Sequence, residues 1–307
     1  MTEKKWVTVM GSFVADLAFR TGRIPVWGET LMGNEFKLGP GGKGSNQAVA
    51  AARAGGRVSF ISKLGSDPFG EMARALYKTE GIDTQFLFAT KSATGAAAII
   101  VDAEKGENAI IVVPGACFEI TAAEVDQARS LIAGSCVFIA QLELSLPVVE
   151  HGLALARALG VPTILNPAPA TPLPESIYQY IDYITPNETE AAALTSVPVA
   201  TVVDAEKAAD AFLARGVHNA IITLGAQGAF VKNARVKAHV PAVNAGKVVE
   251  TTGAGDAFNG GFAVALSEGM GLVEAVRFGC AAAGISITRP GTAPSMPTRS
   301  EIDALRN

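Results

Sequence analysis

Two rhythms of apolar residues alternate along this chain. Short, nearly unbroken runs read as buried strands: WVTVMGS at 6–12, RVSFISKLG at 57–65, CVFIAQ at 136–141, PTILNPAP at 162–169, IDYITPNE at 181–188 and NAIITLG at 219–225. Between them the apolar positions recur at helical spacing, over 46–54, 66–81, 147–160 and 205–216. The segment 66–81 is the best marked. Ser66 or Asp67 can cap it, Pro68 suits its first turn and Gly81 stops it. The Ala-rich 46–54 ends at Gly55 and Gly56, and two more helices close the chain, one after Asp256 and one over 271–288. Alternation of this kind predicts an α/β fold with a mainly parallel central sheet between helices.

Two stretches break the rhythm. Residues 17–40 are short alternating pieces separated by Gly and Pro, and 94–115 reads as two strands around a charged turn at 105–108. We expect 1–307 to be a single domain, with 17–40 and about 94–114 forming a small β-sheet outside the main core.

Composition narrows the class. Of 307 residues, 49% are apolar and 18% charged, which fits a well-buried globular chain. A net charge of −4 suggests no general affinity for nucleic acid or anionic membrane. The opening MTEKKWVTVMGS does not read as a signal peptide. No apolar run reaches roughly 18 residues, so no membrane span is expected. Cys117, Cys136 and Cys280 lie far apart, form no metal or redox pair and suit a reducing cytoplasm. His151, His218 and His239 each stand alone and read as structural or surface residues.

Candidate chemistry collects just past the apolar runs. Asp16, Glu143, Asn166, Asn187, Glu190, Thr223 and Gly225 all follow a predicted strand. In open α/β sheets ligands bind outside the carboxyl ends of the strands, so this set describes a polar, acid-rich cleft. For any one residue, an ordinary exposed loop is an equal account.

Two glycine-rich segments sharpen the picture. In GAGDAFNGGF, at 253–262, a helix starting near Asp256 would leave its first N–H groups free to bind an anion, and the glycines permit close approach. Such amides stabilise the charge of a phosphoryl group in transfer, and Asp256 could take the proton of an attacking hydroxyl. By residue type alone, Asp256 could equally cap the helix. In GPGGKGSNQAVAAARAGG, at 39–56, Gly41 and Gly42 bring backbone close to a ligand and a helix follows from Asn46. The segment lacks Walker spacing and is not a GxGxxG following the first strand, which disfavours a dinucleotide-binding dehydrogenase.

Together these motifs carry a resemblance. GGKGSNQAVAAARAGG, LNPAPA (165–170), ITPNETEA (184–191), ITLGAQGA (222–229) and TTGAGDAFNGGF resemble, in order and spacing over nearly the whole chain, the ribokinase-like carbohydrate kinases, the PfkB family. The resemblance implies transfer of the ATP γ-phosphoryl group to a primary alcohol of a small sugar, O5 of ribose, with Mg²⁺. It implies that the small sheet is a lid over the sugar. In the ribose-phosphorylating members that lid commonly also forms a homodimer contact.

Residue by residue, Asp256 is similar to the family's base, and Gly253, Ala254 and Gly255 match its anion hole. Asp16, Gly42, Lys43, Asn46 and Glu143, with Asp256, match sugar contacts; carboxylates and an amide suit a polyhydroxylated ligand. Lys43 as a plain surface lysine is the alternative. Asn187, Thr223, Gly225 and Gly228, with Gly255, match the ATP region. Glu190 matches a Mg²⁺ contact made through water. Glu250, Thr252, Ser286, Arg289, Gly291 and Ser295 match a monovalent-cation site, which implies potassium activation, with several of the ligands being backbone carbonyls.

Three positions depart from the pattern. Val14 stands where Asn is usual, Glu250 where Asp is usual, and Cys280 where a larger polar residue often lies near the adenine. Val14 bears most on the substrate and keeps 2-deoxyribose or a nucleoside open as the acceptor. A non-enzymatic sugar or nucleotide sensor would need no base, which the intact GAGD argues against.

Overall fold

The computed structural model describes residues 6–102 and 108–306. The chain's opening, 1–5, and the expected charged turn, apart from Asn108, lie outside the described residues. The elements run β1 (Trp6–Met10), β2 (Val14–Thr21), β3 (Glu35–Gly41), α1 (Lys43–Arg53), β4 (Arg57–Gly65), α2 (Pro68–Thr79), β5 (Leu87–Thr90), β6 (Thr94–Asp102) and β7 (Asn108–Gly115). Next come α3 (Ala122–Gln127), α4 (Arg129–Ala133), β8 (Ser135–Gln141), α5 (Leu146–Ala158), β9 (Thr163–Asn166), β10 (Tyr183–Ile184), α6 (Glu188–Thr195), α7 (Val202–Ala214) and β11 (Asn219–Thr223). Last are β12 (Ala229–Lys232), β13 (Lys237–Val240), α8 (Ala254–Ser267), α9 (Leu272–Ser286) and α10 (Arg299–Arg306).

The central sheet has nine strands in the order β13-β12-β11-β10-β9-β8-β1-β4-β5. It is parallel from β11 to β5, and β12 and β13 add an antiparallel edge. The fold is α/β, as the alternation predicts. One core cluster packs α1, α2, α8 and α9 on one face, through residues such as Ala48, Tyr77, Phe262 and Phe278. The other face holds α3 to α7, through Val125, Leu153, Ala191 and Phe212. The chain builds β4 and β5 on one side of β1 and β8 to β11 on the other. The order therefore reverses between β1 and β8, and their carboxyl ends open a crevice there.

Local signals explain most boundaries. Asp67 caps α2 by accepting from the Gly70 N–H at 2.8 Å, and Pro68 opens the helix. Helix α1 starts at Lys43, three residues before the expected Asn46, because Gly42 takes φ +85° as its N-cap. A Cβ on Gly42 would also lie 2.7 Å from the Val14 nitrogen, so only glycine fits that turn. Helix α8 starts after Gly253, at φ +81°. Asp256 is therefore inside the first turn and caps nothing. Three helices, not two, close the chain: α10 buries Ile302 and packs Leu305 against the core, and is too short to reveal its period.

The small sheet has the order β3-β2-β6-β7. It begins at Val14, only four residues after β1 ends, so Asp16 lies within a strand rather than in a loop. Register sorts its faces. Leu17 pairs with Leu38 and Ala98, Phe19 with Phe36 and Ile100, and Ala98 with Ile111. These rows lie on the face away from Asp16. Phe19, Phe36, Leu38, Ile111 and Val113 on it are exposed, and the Phe19 and Phe36 rings stand 4.9 Å apart.

Candidate active site

Asp256 stands at the centre of the crevice and is only 6% exposed. Its two oxygens are held from α1: Asn46 Nδ2 donates to Oδ2 at 3.0 Å and Gln47 Nε2 donates to Oδ1 at 2.9 Å. Close approach of α1 and α8 permits this. A Cβ on Gly260 would lie 2.5 Å from that of Ala50 and 2.7 Å from the Ala51 nitrogen. The N–H groups of Gly255 and Asp256 meet no acceptor among the described residues, whereas that of Ala254 turns back to the Thr251 carbonyl at 3.2 Å. Nothing lies within 4 Å of where a Gly255 side chain would begin, so the helix start faces open space.

The other expected residues approach from several elements. Lys43, Asn187, Glu190, Thr223, Gly253, Gly255 and Asp256 line one cleft. Asn166, Ala168, Thr185 and Asn259 line it too; of these only Asn166 was singled out by the strand pattern. On the small-sheet side, the Asp16 carboxyl lies against Gly41, where a Cβ would come within 2.2 Å of Oδ2. Glu143 accepts from the Ser12 hydroxyl and, at 2.8 Å, from the Lys43 backbone N–H. Asn46 Oδ1 is buried without a hydrogen-bond partner, an acceptor aimed at nothing within the protein.

Asn187 and Glu190 do cap a helix. The Glu190 N–H donates to Asn187 Oδ1 at 2.8 Å, and the Asn187 N–H donates to Glu190 Oε2 at 2.9 Å. Glu190 Oε1 takes no part in that box. Thr223 is bound to the same turn, its N–H donating to the Pro186 carbonyl at 2.9 Å. Gly225 and Gly228 sit in the turn between β11 and β12 and are not among the residues that line the cleft. Cys280 lies buried in α9, does not line the cleft, and burial pushes its thiol up to about 12.

The segments 249–252 and 286–295 lie against each other. Val249 and Glu250 N–H groups both donate to the Ile287 carbonyl, and Glu250 Oε2 accepts from the Gly291 N–H at 2.8 Å. Ser286 and Ser295 hydroxyls donate to the Ala283 and Thr292 carbonyls, both at 2.8 Å. The Arg289 side chain is paired with Glu301, so only its backbone is left for that site.

Charge in the crevice is one-sided. Burial raises the Asp16 carboxyl to about 7, and Glu143, Asp256 and Glu250 add to the rise. Burial also raises Asp256, against the pull of Lys43 and of the Gln47 and Asn46 amides, while Glu143 adds to the rise. Glu190 is raised by burial too, opposed by the Asn187 N–H and Lys43. Burial alone would lower the Lys43 ammonium, but Asp256, Glu143 and Glu190 outweigh it and raise it. An acidic pocket with spare acceptors suits a ligand that brings many hydroxyl donors.

Residues 4–299 match the pfkB family of carbohydrate kinases. The chain belongs to that family. A ribokinase of Haemophilus influenzae is 43% identical over 97% of each chain. A deoxyribokinase of Salmonella typhi is 36% identical over 95% of each. The solved structure of an Arabidopsis thaliana ribokinase, complexed with ribose and ATP, superposes with a TM-score of 0.92 at 30% identity and 98% coverage of both chains. A pfkB kinase phosphorylates a carbohydrate with ATP, and the crevice has the acceptors for one substrate and the free amides for the other.

The raised Asp16 carboxyl makes a pH prediction for this kinase. Sugar hydroxyls donate best to an ionised acceptor, and burial keeps the proton on Asp16 until about pH 7. Sugar binding should therefore strengthen as pH rises towards neutrality, and 1/KM should fall up to about tenfold per pH unit below it. In Asp16→Asn that slope should vanish and KM should be high throughout. A wild-type sugar KM that stays flat between about pH 5.5 and 8 would refute the assignment.

Proposed function

We propose that this pfkB kinase is a ribokinase, transferring the γ-phosphoryl group of ATP to the 5-hydroxyl of D-ribose. The observation that carries the reading is Asp256, buried beside unpaired helix-start amides and facing a pocket of hydroxyl acceptors. Asp16, Glu143 and Asn46 Oδ1 bind the sugar hydroxyls, and Asp256 takes the proton of O5 as that oxygen attacks phosphorus. The O5–phosphorus bond forms, the bond to the β-phosphate oxygen breaks, and ADP carries off the electron pair. The amides of Gly255 and Asp256 and the Lys43 ammonium meet the charge gathering on the transferred group.

Glu190 Oε1, uncommitted and beside the cleft, suits a hydrated Mg²⁺, which would neutralise phosphate charge when bound. Among the described residues no group of three or more His, Cys, Asp or Glu could hold a metal directly. The oxygen-rich loops at 250–252 and 286–295 suit a monovalent cation, and we assign potassium there. The three unpaired cysteines suit the cytoplasm.

We further infer that the small sheet is a lid and that its apolar outer face meets the same face of a second copy. Phe19, Phe36, Leu38, Ile111 and Val113 are all exposed on that one face, and clustered exposed apolar side chains suit an interaction surface. No helix among the described residues is long and apolar enough to cross a membrane.

A second reading, 2-deoxyribose as acceptor, is favoured by Val14. It is 4% exposed, and strand alternation puts it on the Asp16 face of β2. Valine can offer no hydrogen bond to a sugar hydroxyl there.

Asp256→Asn should lower kcat on ribose by about 10² to 10⁴ while ATP still binds. Potassium should raise wild-type turnover above that in a large organic cation at equal ionic strength. Near-wild-type kcat in the variant would remove the base, and equal turnover in both salts the cation site.

Val14→Asn should shift the kcat/KM ratio towards ribose over 2-deoxyribose by roughly 5- to 150-fold, the worth of about 1–3 kcal/mol for one buried hydroxyl partner. An unchanged ratio would mean that position 14 does not read the sugar.

Ile111→Lys together with Phe36→Lys should turn a dimer into a monomer in sedimentation. A wild type that already sediments as a monomer at micromolar concentration would end the lid-to-lid proposal.

A further inference from the structure

We propose that Gln47 is a positioning residue for the Asp256 base, fixing the orientation of its carboxylate and favouring its ionised form, with Gln141 setting Gln47 from behind. The proposal rests on Asp256 being the base.

The hydrogen-bond pattern leaves little freedom. Gln47 Nε2 has two hydrogens, and both are used: one on Asp256 Oδ1 at 2.9 Å, the other on Asn166 Oδ1 at 3.0 Å. Asn166 is itself oriented, because its Nδ2 donates to the Thr185 carbonyl at 3.1 Å. That leaves its Oδ1 as the acceptor for Gln47. Gln47 Oε1 then faces the other way and accepts from Gln141 Nε2 at 2.6 Å. Gln47, Gln141, Asn166 and Asp256 are all buried.

The chain of donation has one direction, Gln141 to Gln47 to Asp256. A carboxylate only accepts, so an ionised Asp256 satisfies the Gln47 N–H, whereas a proton on Oδ1 would set two donors against each other. The amides thus oppose the effect of burial on this carboxyl. Burial of Gln141 also costs something, since its Oε1 has no partner and lies where a Gly11 side chain would be. Each carboxylate oxygen can accept more than one hydrogen bond. Asp256 can therefore be clamped by Asn46 and Gln47 and still receive a proton from the sugar.

The charged groups facing Asp256 are Lys43 from α1, Glu143 from the loop after β8, Asp16 from β2 and Glu190 from α6. None of them hydrogen-bonds Gln47 or Gln141, so changing these amides leaves their contacts in place.

The test compares Gln47→Met, Gln141→Met and Asp256→Asn with wild type in full pH profiles of kcat and kcat/KM. Hydrogen bonds to a charged group predict that Gln47→Met loses about 10- to 150-fold in kcat and that its acid limb moves up by about one to two pH units. KM for sugar and for ATP should change far less than kcat. Gln141→Met should shift the limb in the same direction by a smaller amount, and Gln47→Glu should not rescue. If Gln47→Met fails to fold, the Gln141→Met profile decides. An acid limb unmoved in every variant that folds, with kcat within about twofold of wild type, would overturn the proposal. If Asp256→Asn is inactive while both glutamine variants are normal, only the positioning role fails; if Asp256→Asn stays active, the base itself was wrong.

Discussion

The site depends on a buried carboxylate reached by two side-chain amides from another helix. Asp256 is 6% exposed, and an ion so placed is costly unless donors surround it. Its donors, Asn46 and Gln47, lie over 200 residues away in sequence. Their reach requires α1 and α8 to touch along their backbones, which Gly260 against Ala50 and Ala51 permits. At its start, α1 is held equally close to the first strand, since a Cβ on Gly44 would lie 2.6 Å from the Gly11 backbone. The small residues that make these helices look merely compact are what allow the base to be both dry and hydrogen-bonded.

The second constraint is the balance of charge. Asp16, Glu143, Glu190 and Asp256 converge with Lys43, which is held as a cation by the carboxylates around it. Without a ligand the pocket carries spare acceptors, Asn46 Oδ1 among them. A sugar brings donors and no charge, so it relieves the acceptors without adding to the repulsion. Phosphate is repelled by the same carboxylates, and the unpaired helix-start amides of α8 are donors that can offset that repulsion.

Much of this was legible in the sequence. The βα alternation gave the parallel sheet, and GAGD with GGKGSN gave the two helix starts that meet. What escaped notice has physical reasons. Helix α10 has only eight residues and one buried side chain, too short a stretch to show a period. Asp16 reads as following the first strand, because nothing in WVTVMGSFVAD marks a turn, yet the chain leaves one sheet and enters another within four residues. Gln47 stood beside Asn46 in plain view. Its role depends on Gln141 and Asn166, partners about a hundred residues away whose meeting only the sheet order decides.

Helix α1 ties these parts into one body. Its first turn holds Asp256, and Arg53 at its other end donates to the Pro294 and Met296 carbonyls, both at 3.1 Å, while paired with Glu80. The loop so held carries Ser295, and its Thr292 hydroxyl donates to the Pro40 carbonyl of β3 at 3.1 Å. Pro40 in turn precedes the Gly41–Gly42 turn that starts α1 and carries the Asp16 contact. The circuit is closed: small sheet, α1, base and the 290–296 loop each fix the next. A close-packed helix transmits displacement rather than absorbing it. A displacement of one of these parts is therefore passed on towards Asp256, and that is the route by which the cation proposed at 250–252 and 286–295 would act on the chemistry in the crevice.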